Sequence, residues 1–292
     1  MRLIHLTDPH LTSLDAWRPG LLAGKRLLSW LSWRGRRRER HRRHRLNALT
    51  QHLEATGPDA WAITGDLCQI GLEQEAIEAA QWLCQLAPPE RTLLVPGNHD
   101  IFARGSRSAI SRHWAEHLHV SANSPEWPVV RHFGDVALIG MNSAVVTPVL
   151  SASGRVGREM MDRLRKKLDA NRGYCRIMLI HHPPTHGVCK RRKALADDRE
   201  LSELLAQHGA AVVLHGHLHH NRQYAIETRG GNAIQVFCTA SASAAGHQGA
   251  AAARILDIES NAGGYRIGMR LEALDGCNRP HTIEQWAWNT AG

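Results

Sequence analysis

Six apolar runs of strand length recur along this chain, at residues 3–6, 60–64, 92–95, 136–140, 176–180 and 211–214, and five of them lead within a few residues into histidine, carboxylate or amide side chains. Between the runs, residues 45–55, 73–86, 107–119, 158–170 and 197–208 carry apolar positions at helical spacing. Strands alternating with helices predict α/β layering. After Leu214 the pattern changes. Residues 222–228, 233–238, 252–258 and 265–271 read as consecutive strands, with Asn-Ala-Gly-Gly (261–264) as a hairpin turn. Neither a repeat nor a long linker interrupts the pattern, so residues 1–292 read as one domain.

The polar clusters share a location. Asp8 and His10 follow the first run, Asp66 the second, and Asn98, His99 and Asp100 the third. His181 and His182 follow the fifth run, and the sixth opens into LHGHLHH, containing His215, His217, His219 and His220. Sites in α/β sheets form beyond the carboxyl ends of strands, so these five groups are expected to converge on one crevice. Residues i and i+2 of extended chain share a side, which lets Asp8 with His10, and His217 with His219, face one centre. Gly65, Gly97 and Gly216 precede polar residues where backbone must turn or approach closely. Carboxylate, amide oxygen and imidazole suit Mn²⁺, Fe or Zn²⁺, and there are too many donors for one ion. A two-metal site with a bridging carboxylate is the chemistry this inventory builds.

Charge is concentrated rather than spread. Lys and Arg total 36 against 27 acids, a formal +9, and residues 25–45 alone hold ten basic residues and one Glu. The remainder is neutral, which is not the pattern of a whole-surface nucleic-acid binder. Six scattered cysteines with no CxxC pair, and no apolar run near the roughly 20 residues of a spanning helix, predict reduced thiols in a cytoplasmic protein. The opening MRLIHLTD reads as a strand, not an export signal.

The blocks D-x-H (Asp8, His10), G-D (Asp66), G-N-H-D (Asn98, His99, Asp100), H (His181 or His182) and G-H-x-H (His217, His219) occur in order over residues 8–219, and in this the chain resembles the calcineurin-like metallophosphoesterases. The resemblance implies a four-layer β-sandwich flanked by helices. It also implies two divalent ions, Mn²⁺ first, with Fe or Zn as alternatives. Asp8, His10 and His219 would hold one ion and Asn98 with His181 and His217 the other, Asp66 bridging them. His181 is preferred over His182 because it directly follows its strand. His99 would be the non-ligand histidine that serves the leaving oxygen, making His99 and Asp66 the catalytic pair.

Residues 21–45 stand apart as an inserted basic amphipathic segment, with Gly35 expected to separate an apolar hairpin or helix from a solvated basic helix. Trp30, Leu31, Trp33, Arg36 and Arg37 combine apolar and cationic character, the recipe for contact with an anionic membrane. A solvated cap and a nucleic-acid contact are the other readings. Lying between the first two site blocks, the segment should overhang the crevice. A second basic run contains Arg191, Arg192 and Lys193, either an exposed loop cluster or a clamp for a diphosphate or nucleotide. Together these point to a phosphorylated, lipid-linked substrate at the inner face of the cytoplasmic membrane. Within the superfamily this fits UDP-2,3-diacylglucosamine hydrolysis in lipid A biosynthesis, releasing UMP, although the best-known branch with that activity carries Arg where this chain has His99. Cyclic-nucleotide phosphodiesterase and nuclease activities are the alternatives.

Overall fold

The computed structural model describes residues 1–15, 22, 24–121, 126–245 and 250–291; within these, the side chains of Arg36, Arg37 and Ala291 fall outside the described set. The apolar runs become two six-stranded sheets. In the first, β1 (Arg2–Leu6), β2 (Ala60–Ile63) and β3 (Thr92–Leu94) run parallel. The second contains β4 (Val129–Phe133), β5 (Val136–Gly140), β6 (Cys175–Leu179), β7 (Val212–His215), β8 (Arg222–Glu227) and β9 (Ala233–Cys238), in the order β4-β5-β6-β7-β9-β8. Its four central strands are parallel and its two edges antiparallel. The chain then returns to the first sheet. There β10 (Ala252–Asn261), β11 (Gly264–Leu274) and β12 (Pro280–Ala291) extend it antiparallel from β1.

Side-chain alternation explains the layering. Along β6, Ile177 and Leu179 join the core shared with the first sheet, whereas Met178 and the following Ile180 face away from it. The outward set is covered by α6 (Arg158–Ala170) through Met161, Leu164 and Leu168, and by α7 (Asp198–His208) through Leu201 and Leu205. Helices α2 (Arg43–Glu54) and α3 (Glu73–Leu86) bury Leu46, Leu49, Leu53, Ala76, Ala79 and Leu83 in the shared core. The result is the expected α/β sandwich of two sheets with helices outside.

Three expectations change. The helix expected over 107–119 is two, α4 (Ser106–His113) and α5 (Ala115–Leu118), joined at Trp114. Edge strands β4 and β12 escaped the sequence reading. In β12 only Trp286 and Trp288 give an apolar alternation, and they pack on Phe237 at ring separations of 5.7 and 5.8 Å. Gly35 does not separate two elements. Helix α1 (Gly24–Ser32) continues into a π-helical turn, Trp33–Arg37, that contains it, and the break comes before α2.

The insert also faces differently from expectation. Trp30 and Trp33 are buried with Leu14, Leu22, Ile70 and Phe102, so neither indole is presented to a membrane. An amphipathic helix on a soluble core turns its largest apolar groups inward, where they lose most water contact. Of the expected lipid-contact residues, Leu31 is exposed, while the side chains of Arg36 and Arg37 lie outside the described residues.

A polar seam crosses between the sheets. His5 of β1 hydrogen-bonds Thr64 and Thr239 through its two ring nitrogens, each at 2.9 Å. Arg254 of β10 donates to Thr239 Oγ1 and to the Cys238 carbonyl, both at 3.2 Å. Burial, followed by Arg254, holds the His5 imidazole well below its ordinary value of 6.5. The unfolded chain therefore takes up a proton that folded His5 refuses, and stability falls as pH drops below that value. Denaturant titrations from about pH 7 to 5 should show this fall, with His5 contributing up to about 1.4 kcal/mol per pH unit. His5→Gln should reduce the slope; an identical slope would remove His5 as its source.

Candidate metal centre

Five loops meet beyond the carboxyl ends of β1, β2, β3, β6 and β7, and hydrogen bonds lock them to one another. Asp8 N–H donates to the Gly65 carbonyl (2.9 Å) and His10 N–H to the Asp66 carbonyl (3.1 Å). Across the sheets, His181 Nδ1 donates to the Thr64 carbonyl at 2.6 Å, and His217 N–H donates to Asp8 Oδ2 at 3.0 Å. Asp100 is the internal brace. Its carboxylate accepts from the amides of Asp66, Gly97 and Cys68 at 2.8, 2.8 and 2.9 Å, joining the second loop to the third. Burial and the neighbouring Asp66 carboxylate push Asp100 up to about 7.

Asp8, His10, Asp66 and His219 present ligand atoms all within 4.8 Å of one another, as do Asp66, His181 and His217. Asp66 belongs to both groups. Asn98 Oδ1 lies 3.2 Å from His181 Nε2 and so joins the second. His182 does not join: its Nδ1 meets Ser143 Oγ at 2.8 Å and its Nε2 the Ala152 carbonyl at 3.2 Å. His215 is likewise engaged, by Tyr224 and the Gly216 carbonyl. A further group, His10, His41 and His219, brings in a residue of the insert that the sequence reading did not single out. Nothing in the spacing of an Arg-rich tract marks that histidine, because only tertiary folding delivers it.

The geometry is that of a cation site. Asp8 Oδ1 and His217 Nε2 are buried with no hydrogen-bond partner, although His219 Nε2 lies 3.0 Å from that Asp8 oxygen. His10 Nδ1 donates to the Cys68 carbonyl at 3.0 Å, so its Nε2 lone pair points at His219 Nε2, 3.4 Å away. Imidazole nitrogens this close to each other and to buried carboxylates must share a proton or a cation. Burial acts to lower His181, but Asp66 and Asp8 outweigh it and raise the ring to about 9. Burial alone would raise the Asp66 carboxyl, yet His181 and His99 hold it well below the usual range. Five residues of the two groups and their loops, Asp8, His10, Asp66, His217 and His219, take φ values between 43 and 69°. Such left-handed backbone at non-glycine residues costs free energy and collects at functional sites.

His99 stands beside these groups. Its N–H donates to Asp66 Oδ1 at 2.7 Å, its Nδ1 to the Gln69 carbonyl, and its ring meets that of His10 edge-on at 5.0 Å. Arg191–Lys193 form a 3₁₀ turn with both arginines exposed. The Arg192 carbonyl accepts from Ala152, the residue that anchors His182, and the Lys193 charge is among those that disfavour protonation of His217. A methyl group on Gly216 would overlap Thr7 Oγ1 and Asp8 Oδ2. Gly216→Ala should therefore displace Asp8 and weaken divalent-ion binding by about tenfold or more, read by metal titration; unaltered binding would show that the loop yields freely.

A model of the family described as calcineurin-like phosphoesterase matches residues 1–221. No curated protein matches the chain. Among solved structures, PhoD aligns over 100% of this chain and 70% of its own at 7% identity and a TM-score of 0.61. Purple acid phosphatase PPD1 from yellow lupin (Lupinus luteus) aligns over 99% of this chain at 14% identity and a TM-score of 0.58. This chain spans 53% of the lupin protein, and both likenesses are likenesses of fold. The matched residues contain every ligand block converging on the site, and the chain belongs to the calcineurin-like phosphoesterase family, as a metal-dependent phosphoesterase.

Proposed function

We propose that this protein hydrolyses a phosphodiester or pyrophosphate bond with two divalent ions, and that its substrate is a lipid-linked nucleotide met at an anionic membrane surface. Asp8, His10 and His219 would hold one ion, Asn98, His181 and His217 the other, with Asp66 between them; Mn²⁺ is the first ion to test. Bound there, the ions supply the Lewis acidity that makes water a nucleophile at neutral pH and offset charge on the phosphoryl oxygens. Asp66 and Asp100 fix the loops, and His99, with Nδ1 committed to the Gln69 carbonyl, presents Nε2 to the leaving oxygen. UDP-2,3-diacylglucosamine, cleaved to UMP, is the substrate to test first.

One observation carries the lipid reading: two segments linked to the site carry exposed apolar side chains. Leu28 and Leu31 of α1 and Val146, Val149 and Leu150 of the loop after β5 are exposed, Leu150 at 84%. Lys25 joins the two sides, donating to the Thr147 hydroxyl (2.9 Å) and carbonyl (3.2 Å). Each side leads inward. Lys25 sits 4.3 Å over the Phe102 ring, which stacks on His99 at 5.7 Å. Ser143 of the same loop holds His182, whose ring is 4.6 Å from that of His217. Exposed Leu and Val, two of them within the basic segment 25–45, suit acyl chains below an anionic headgroup layer. Arg191, Arg192 and Lys193 would meet the diphosphate. No helix among the described residues is long and apolar enough to cross a membrane, so such contact would be peripheral.

With Mn²⁺, UDP-2,3-diacylglucosamine should be cleaved faster than cyclic AMP or bis-p-nitrophenyl phosphate; preference for cyclic AMP would transfer the assignment to a soluble phosphodiesterase. Leu31→Asp with Leu150→Asp should lower kcat/KM for the acylated substrate in anionic vesicles by about tenfold or more and spare bis-p-nitrophenyl phosphate. Equal losses on both substrates would dismiss these side chains as a lipid contact. His99→Ala should reduce kcat by about 10²–10⁴ at unchanged metal content. Full turnover in that variant would exclude His99 from proton transfer.

A further inference from the structure

We infer that His41, supplied by the insert, is an additional nitrogen donor to the ion at the Asp8 end of the metal centre. This rests on the two-metal reading above and adds a residue outside the five loops. The ligand nitrogens of His10, His41 and His219 lie within 4.8 Å of one another, and His10 and His219 also belong to the group with Asp8 and Asp66. The rings are close, with His41 4.3 Å from His10 and 5.4 Å from His219 between centroids.

Two serines anchor one ring nitrogen of His41. Ser241 Oγ donates its single hydrogen to the Asp8 carbonyl at 2.6 Å. Toward His41 Nδ1, 3.2 Å away, it therefore acts as acceptor. Ser243 Oγ lies 2.9 Å from the same nitrogen. This serine pair anchors Nδ1 and, with Nδ1–H donating to Ser241 Oγ, Nε2 is the atom that would coordinate. His10 and His181 have the same arrangement, Nδ1 anchored on a backbone carbonyl with Nε2 left to coordinate. An anchored second nitrogen is the usual support of a metal-bound histidine.

The backbone holding His41 is also fixed. His41 bridges Ala244 antiparallel, Arg42 N–H donates to the Ser243 carbonyl and Ala245 N–H to the Arg40 carbonyl, both at 2.9 Å. The insert is thereby stitched to the loop after β9 at the residues that orient the ring. With His41 the two ends of the centre differ. One would gain a third imidazole beside His10 and His219, which also group with Asp8 and Asp66; the other offers two imidazoles, Asn98 and Asp66. More nitrogen favours Zn²⁺, Fe²⁺ or Co²⁺ over Mn²⁺ at the first end, so the two sites should prefer different ions.

Titration of the full-length protein with Co²⁺, followed by visible absorption and by competition with a chelator, tests this. The wild-type chain should bind two equivalents in two steps. His41→Ala should weaken one step by about tenfold or more and change its absorption band while leaving the other step intact. His41→Gln, which keeps most of the side-chain volume, should do the same and stands in if the alanine variant fails to fold by circular dichroism. Arg42→Ala, in the same stitched segment, should leave both steps unchanged, which separates ligation from damage to the insert. Two wild-type steps with no change in a folded His41 variant would overturn the inference alone. Fewer than two equivalents in the wild type would overturn the two-metal reading with it.

Discussion

Two carboxylates, Asp8 and Asp66, are buried at the same end of two sheets, and the rest of the site is arranged around the positive charge they demand. Neither could be left there unpaired without a large desolvation cost. The imidazoles around them can meet that demand as protonated partners or as donors to a cation. This explains why unpartnered polar atoms, close imidazole nitrogens and left-handed backbone recur together at Asp8, His10, His217 and His219. A core that satisfied its polar groups internally would need none of these features.

The sandwich makes that arrangement possible. Parallel strands of both sheets end on one side, and their loops meet there. His181 bonding to Thr64, and His217 to Asp8, tie the sheets together through the site itself. The insert adds a third party. Arg26 donates to the Ile70 and Gly71 carbonyls and to Ser106, fastening α1 beside the loop after β2. Part of the basic charge read from sequence as surface potential is therefore structural.

Much of this was legible beforehand, for a definite reason. Ligands that follow strand ends are local signals: the strand fixes the direction, and the next residues inherit it. Asp8, His10, Asp66 and Asn98 could be read in that way, and His181, not His182, has its nitrogen grouped with Asp66 and His217. Trp30 and Trp33 could not be oriented, since an amphipathic helix shows which residues share a face but not whether that face meets core or lipid. His41 was invisible because its position depends on pairing with residue 244, some two hundred residues later. Edge strand β12 was hidden by its polar face; its two tryptophans acquire meaning only against Phe237.

The left-handed backbone at Asp8, His10, Asp66, His217 and His219 bears on how any alanine scan of this region is to be interpreted. Truncating such a residue removes a donor and at the same time frees a peptide torsion that its neighbours were holding against its preference. The two losses arrive together and inflate the apparent worth of the side chain. Asparagine tolerates that torsion better than most residues. Exchanging the aspartates for asparagine keeps the chain's path while deleting charge, so the difference between the asparagine and alanine versions measures how far the fold, rather than the ligand atom, sets the position of each loop.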